Sequence, residues 1–561
     1  MKADTRNELI YAPLGGAGEI GMNCYLYGLG SEEAGRWIMV DCGLGFGDME
    51  TAPGVELVLP DLSFIREQGE RFDALFLTHA HEDHIGGIAH VWDAFAKPIY
   101  ARRFTAELVR RKLDEAGLDT RLVREVGLGE RVRAGQFEVE FLPITHSIPE
   151  ASMLAIRTPH GTVVHSGDFK LDPDPQLGDP YDLTRLEAVG REGVLALACD
   201  STNVFLDGAA GSEAEIVDNL RRIISEAPGA VAATSFASNV ARLYTLAKAA
   251  SEAGRSVVVA GRAMRRMIEV AVETGQLDDF PTVVPDDRAD AIPAEHLFYL
   301  VTGSQGEARA ALARIAAGTH PTVSLGYGDT VLFSSKTIPG NEAGIYRLYN
   351  RLSEQGIRVI DGEMERIHVS GHARRDDLER VYAALKPRLA LPMHGEHRHL
   401  VEHARLARER WGASHALVVP NGGVARLDGN DPRVIDEIDT GRIYLDGTTQ
   451  IGSHDGVIRE RLKLARQGHV VVTAVLDDEG LIADPAVRCL GAPKQAEGWP
   501  APLEEMIADA VDQAIEDAPA KTLRSDNAVE DLVVRAVRRV ATRYWGKKPI
   551  VTPILTRLDD E

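Results

Sequence analysis

The chain has 561 residues, with 62 Lys and Arg against 85 Asp and Glu, a formal charge of −23. Such acidity argues against a protein that coats nucleic acid, because phosphate binding is driven by Lys and Arg; it does not exclude a nuclease whose cations line one cleft. The length predicts several domains. No apolar run approaches the ~18–20 residues that span a bilayer.

The N-terminus lacks the apolar stretch of a secretion signal. Cys24, Cys42, Cys199 and Cys489 are widely spaced and read as small buried apolar residues rather than a disulfide framework. A cytoplasmic protein with no membrane partner is the expectation.

Along the first 205 residues, short β-rich runs end in polar residues: GRWIMVDCG, ALFLTHAH, FEVEFLPITH, TVVHSGD and VLALACDSTN. That pattern predicts buried strands delivering side chains to one sheet edge. After Asn203 the texture becomes strand–helix repeats. Ser212 and Glu215 suit a capping box, followed by Ile216, Leu220, Ile223 and Ile224 at helical spacing. With strands AVAAT, SVVVA, HLFYLVT and TVLFSS between helices, residues 206–360 read as an inserted parallel, doubly wound domain.

The first texture returns in ERIHVSGHA and LALPMHGE, so 361–425 reads as the second part of the split domain and 426–460 as a linker with short strands. Residues 461–561 read as a small α/β domain. There Val529, Leu532, Val533, Ala536, Val537 and Val540 stripe one helix.

The strongest chemical signal is His79-Ala80-His81-Glu82-Asp83-His84, directly after a strand. Imidazole and carboxylate suit zinc and related borderline ions. One ion needs only three protein ligands, so the surplus points to two, which suit in-line displacement at phosphorus. His146, Asp168 and His394 stand at further strand ends.

HxHxDH, then His, Asp and a distant His resembles the metallo-β-lactamase superfamily. That resemblance implies an αββα sandwich, with one metal on His79, His81 and His146, a second on Asp83, His84 and His394, and Asp168 bridging. The insertion resembles the β-CASP nucleases. LGGAGEIGMN, ACDSTN, SFASN, TGSQGE, PGNE, HVSGHA and PMHGEHRHL narrow the similarity to the bacterial ribonuclease J family. The one departure noted is Ala308 after TGSQGE, where the family suggests proline.

The resemblance implies a two-zinc ribonuclease, with Mn²⁺ as the alternative ion. It would act 5′→3′ on single-stranded RNA with a 5′-monophosphate end, in mRNA decay and rRNA maturation, with internal cleavage left open. Asp200 and His372 form the implied proton-transfer pair, Asp200 being the donor by family analogy. Ser238 and the segment His368, Val369, Ser370, Gly371 and His372 form a 5′-phosphate pocket, Gly371 allowing close backbone approach. Asp48 and Asp446 are candidate ligands of an auxiliary Ca²⁺.

The same resemblance implies a homodimer or homotetramer formed through the C-terminal domain, and a place in an RNA-decay complex is open. Arg102-Arg103, Arg110-Arg111-Lys112, Arg262/Arg265/Arg266 and Arg374-Arg375 are candidate RNA contacts, Arg262, Arg374 and Arg375 the better ones because they flank site motifs. Two other readings stand: a β-CASP nuclease acting on DNA, separated by recognition of the 2′-hydroxyl, and a non-catalytic scaffold subunit, against which all seven metal-ligand residues are present.

Overall fold

The computed structural model describes residues 8–30, 35–429, 431–477 and 479–558, and the elements and contacts are those of these residues. They form two compact units. One runs to Gly45 and from Leu59 to Arg442, the other comprises Phe46–Val58 and Ile443 onward.

The larger unit is built on three sheets. An eight-stranded sheet runs Arg433–Glu437, Gly423–Arg426, Glu8–Gly15, Cys24–Gly30, Arg36–Val40, Phe72–Phe76, Ile99–Ala101, Val123–Glu125. A seven-stranded sheet runs Arg131–Ala134, Phe137–Pro143, Ser152–Thr158, Gly161–His165, Val194–Asp200, Leu389–Met393, His415–Ala416. Their inner faces meet in one apolar layer, where Tyr25, Tyr27 and Phe76 pack with Phe141, Leu154 and Val163. On the other face of the second sheet, Leu186, Val189, Val381, Tyr382 and Trp411 cover Leu142, Val164 and Leu197. These strands are apolar on both faces because both are covered, which explains their near-continuous hydrophobic runs. The result is the αββα sandwich that the resemblance implies.

Between Val194–Asp200 and Leu389–Met393, paired in parallel with Asp200 opposite Met393, the chain departs to build the third sheet. Its six strands run in the order Val283–Val284, Ser256–Ala260, Leu297–Val301, Val231–Thr234, Thr330–Phe333, Arg358–Ile360, all parallel. Separate apolar clusters lie on its two faces, as a doubly wound insertion requires. The Ser212–Glu215 capping box forms, and Ile216, Leu220, Ile223 and Ile224 are buried behind it.

The smaller unit has its own core. Strand His469–Leu476 lies antiparallel to Ala486–Leu490 and parallel to Ile550–Arg557. Helices Leu503–Glu516 and Asp526–Tyr544 pack there through Val511, Ile515, Val529, Val533 and Val537. The segment 426–460 contributes strands to both units rather than only connecting them: Arg433–Glu437 is an edge strand of the eight-stranded sheet, and Thr449–Gly452 lies in the smaller unit. No described helix is long and apolar enough to cross a membrane.

Candidate active site

Six strands end at one place. Arg36–Val40 delivers Asp41, Phe72–Phe76 leads to Thr78 and His79, Phe137–Pro143 to His146, Gly161–His165 to Asp168, Val194–Asp200 ends on Asp200, and Leu389–Met393 leads to His394. His81 precedes the short helix Glu82–Ile85, which turns Asp83 and His84 back toward the same point.

The ligand atoms fall into overlapping groups, each within 4.8 Å of one another: His79, His81, His146 and Asp168; Asp83, His84, Asp168 and His394; and Asp168, Asp200, His372 and His394. Asp168 belongs to all three. His81 Nδ1 lies 3.1 Å from His79 Nε2 and 3.2 Å from His146 Nε2. A tetrahedral zinc with bonds near 2.0–2.1 Å separates its ligand atoms by about 3.3 Å, so the spacing fits one ion. In the second group His84 Nε2 is 3.1 Å from Asp168 Oδ2 and 3.6 Å from Asp83 Oδ2, and His394 Nε2 is 3.4 Å from Asp83 Oδ2. His394 Nδ1 lies 2.7 Å from Asp168 Oδ1, yet neither atom has a partner in hydrogen-bonding geometry, and both are buried. Buried polar atoms left so are costly unless something else satisfies them. The donor set, its spacing and these orphaned atoms all fit two divalent ions.

Electrostatics agree. Burial, with neighbouring imidazoles, holds His79 and His146 well below the usual histidine range, and burial brings His81 down to about 4. Neutral imidazoles with free lone pairs are what a metal needs. At His394 burial is outweighed, Asp168 foremost, and its pKa is pushed up to about 10; His84 is raised likewise by Asp168, Asp83 and Asp41. This half of the site demands positive charge.

Supporting residues orient the ligands. Asp41, fully buried with φ +60°, accepts a 2.7 Å bond from His84 Nδ1 and two of 2.8 Å from the Thr78 amide and hydroxyl. His146 Nδ1 donates to the Gly371 carbonyl at 2.6 Å. Both contacts leave Nε2 facing the cluster, the usual arrangement behind metal-bound histidine. Asn23, held by Tyr25, places its amide 2.9 Å from His84 Nε2. Reasoning from sequence missed Asp41 and Asn23. Their only signals were an acid ending a strand in GRWIMVDCG and the asparagine of LGGAGEIGMN.

His372 Nδ1 lies 2.9 Å from Asp200 Oδ2, while Asp200 Oδ1 accepts from the Thr202 amide and hydroxyl. The Asp200 side chain is 0% exposed and that of His372 24%. In HVSGHA, Ser370 Oγ accepts from Asn203 Nδ2 and from the His372 amide. His368 Nδ1 lies 3.0 Å from the guanidinium of Arg242, a buried group paired with Glu213. Burial, then Arg242, keeps His368 well below the usual range, hence neutral. Val369 is buried and its carbonyl accepts from Arg242. Ser238 sits in the turn before helix Val240–Glu252, and its neighbours Asn239 and Ala241, not Ser238 itself, line the small pocket beside Ser147, Ser370 and Gly371.

Asp48 and Asp446 do not gather into a cation site with a third ligand among the described residues. The Asp446 carboxylate is taken by Arg461 at 3.1 Å, and Asp48 accepts from the Glu50 amide. Most basic clusters are likewise paired: Arg102 with Glu150, Arg110 with Glu125, Lys112 with Glu82, Arg265 with Asp286, Arg266 with Glu115, and Arg375 with Asp207.

Four family models match in chain order: the metallo-beta-lactamase superfamily over 17–239, the ribonuclease J beta-CASP domain over 228–352, the Zn-dependent metallo-hydrolase RNA specificity domain over 345–419, and the ribonuclease J C-terminal domain over 456–558. A crystal structure of a protein of unknown function from Enterococcus faecalis superposes with a TM-score of 0.51 at 17% identity, covering 75% of this chain and 100% of that one, a likeness of fold alone. Among curated relatives, ribonuclease J of Sinorhizobium meliloti is 43% identical, with 98% of both chains covered. That of Synechocystis is 37% identical over 97% of this chain and 86% of the relative, and that of Thermus thermophilus 34% identical over 97% and 94%. Identity at this level along the whole length, joined to the metal-ligating cluster above, makes the chain a member of the ribonuclease J family.

Proposed function

We propose that this chain is a two-metal ribonuclease that degrades single-stranded RNA 5′→3′ from a 5′-monophosphate end, and cleaves internally where a strand can thread to the site. We place it in mRNA decay and rRNA maturation, within reach of an RNA-decay complex. The observation that carries the reading is the pair of four-residue ligand groups sharing Asp168, roofed by HVSGHA from beyond the insertion. Family membership supports RNA as the substrate class.

His79, His81 and His146 would hold one ion, Asp83, His84 and His394 the other, with Asp168 between them. Ligand type suits Zn²⁺ and admits Mn²⁺. Two such ions supply an activated water and stabilise charge on the phosphoryl oxygens. The chain's own groups do the rest. Asp41 and the Gly371 carbonyl hold His84 and His146 in the tautomer that leaves Nε2 free. The departing 3′-oxygen needs a proton, which the Asp200–His372 pair provides. Because Asp200 is enclosed and His372 is not, His372 is the member that faces substrate and Asp200 holds its Nδ1. This refines the expectation that Asp200 itself donates.

His368 and Ser370, with Ser238 nearby, would hold a 5′-monophosphate one nucleotide from the ions, so that a triphosphate end is disfavoured by crowding. The smaller unit would join subunits through the sheet face opposite its helices, where Leu490 and Ile554 are exposed.

The test is one assay of metal-loaded protein on 5′-monophosphate RNA, 5′-triphosphate RNA and matched DNA, with and without chelator. Mononucleotide release from the monophosphate RNA alone is expected, abolished by chelator and by His81→Ala. Equal rates on the two RNA ends would remove the phosphate pocket, and RNA loss persisting in His81→Ala would remove the metal assignment.

A further inference from the structure

The loop that follows Asp200 carries an exposed aromatic ring, Phe205, and its Asn203 binds Lys336 from a distant segment; Arg374 is among the candidate RNA contacts, and Phe205 and Lys336 have no role above. Asn203 donates from Nδ2 to Ser370 Oγ at 2.9 Å and to the His372 carbonyl at 3.1 Å, while its Oδ1 accepts from Lys336 Nζ at 3.4 Å. Arg374 lies two residues beyond His372, and its buried Nε has no hydrogen-bond partner. Neither Lys336 nor Arg374 makes a salt bridge among the described residues, in a chain where acids outnumber bases. Asn203 links them: it accepts from Lys336 and donates to the His372 carbonyl, two residues before Arg374, and burial, then Arg374, lowers the Lys336 pKa.

Two residues past Asn203 stands Phe205, 43% exposed. The Arg398 guanidinium lies 5.7 Å over its ring, and the His399 ring is 5.2 Å away. The ring is not on a loose loop: Arg375 binds the Val204 carbonyl at 2.9 Å through Nε and the Leu206 carbonyl at 3.1 Å through its amide. Two adjacent cations without acids repel each other, and an anion between them relieves that cost. A fixed, exposed aromatic ring interleaved with cations is the arrangement by which proteins hold single strands, stacking a base by its π-face and tracking the phosphates by charge.

We propose that Phe205 stacks a base of the bound RNA strand, and that Lys336 and Arg374 clamp the adjoining phosphate, forming a nucleotide subsite beside the Asp200–Asn203 loop. It rests on the RNA reading above and extends it to nucleotides beyond the one being cut. The subsite is sequence-tolerant, because every base has a π-face.

The experiment compares steady-state constants of the metal-loaded enzyme on 5′-monophosphorylated RNA of about ten nucleotides and on a 5′-monophosphorylated dinucleotide. Phe205→Ala is expected to raise KM for the longer RNA about 5- to 100-fold, with a much smaller change for the dinucleotide. Phe205→Tyr should restore it and Phe205→Leu, which keeps bulk but not the π-face, should not. Lys336→Gln with Arg374→Gln should lower the slope of log affinity against log salt by about 0.7, the share of one phosphate.

Melting temperature and bound metal are measured on each variant; should Phe205→Ala misfold, the Tyr and Leu variants decide alone. Equal changes on both substrates, or Leu performing as well as Tyr, would overturn the subsite while leaving the nuclease intact. The same result follows if the variants lose only the binding of another protein. Wild-type enzyme that cleaves neither RNA would overturn the nuclease reading and the subsite with it.

Discussion

At the residue scale, the site depends on atoms that never touch substrate. Asp41 carries no chemistry of its own, yet it sets the ring orientation of His84. Asp41→Asn should weaken metal binding about 10- to 100-fold, as for other partners of metal-bound histidine, with little change in melting temperature; competition against a graded chelator series measures it. Gly371 is a second such position. A Cβ there would lie 2.8 Å from His146 Cε1, so Gly371→Ala should displace His146 and lower the bound metal stoichiometry, read by elemental analysis. HxHxDH was legible because its ligands are clustered in sequence. Asp41 was not, because its link to His84 exists only once two neighbouring parallel strands place their ends together.

At the scale of elements, buried polar networks tie the insertion to the sandwich. Arg242, on helix Val240–Glu252, pairs with Glu213 and also binds the Ser334, Ile367 and Val369 carbonyls. Arg242→Met would strand Glu213 as a buried charge and should destabilise the larger unit by about 3–5 kcal/mol. Arg242→Met with Glu213→Leu should recover much of that loss in chemical denaturation, because no charge is then left unpaired.

Helix His397–Glu409 shows the same principle with a titratable group. His403 is enclosed between Ser201 Oγ and the Tyr382 hydroxyl, each 2.9 Å away, and burial pulls its pKa to about 4. The unfolded chain takes up this proton near pH 6.5 and the folded chain only near 4, so the contribution is full above 6.5 and is lost as pH falls between the two, by about 3 kcal/mol. His403→Gln should flatten that part of the stability–pH profile. The elements themselves were largely legible: Ile216 to Ile224 announced their helix by spacing, and parallel strands announced themselves by unbroken apolar runs. The 426–460 segment was harder, since its strands belong to partners far along the chain.

For the whole molecule, the charge of −23 and an RNA substrate are compatible because many surface cations, Arg110, Arg221 and Arg266 among them, are paired with neighbouring acids. Binding of long single-stranded RNA should therefore show a shallow salt dependence, a log–log slope of about −2 for some three phosphate contacts; a slope several times steeper would mean a wider basic surface. A shallow slope would mean that acidity discourages indiscriminate coating of RNA and leaves capture to the site.

Sequence alone determined the superfamily, the candidate ligands and the presence of an insertion, because metal chemistry demands particular residue types and burial demands a particular periodicity. Tertiary structure alone decided which candidate ligands lie within reach of one another, that Asp168 belongs to every group, that Asp446 is paired with Arg461, and that Lys336 and Arg374 make no salt bridge among the described residues. These depend on distances between residues tens to hundreds of positions apart, and only the folding of three sheets sets such distances.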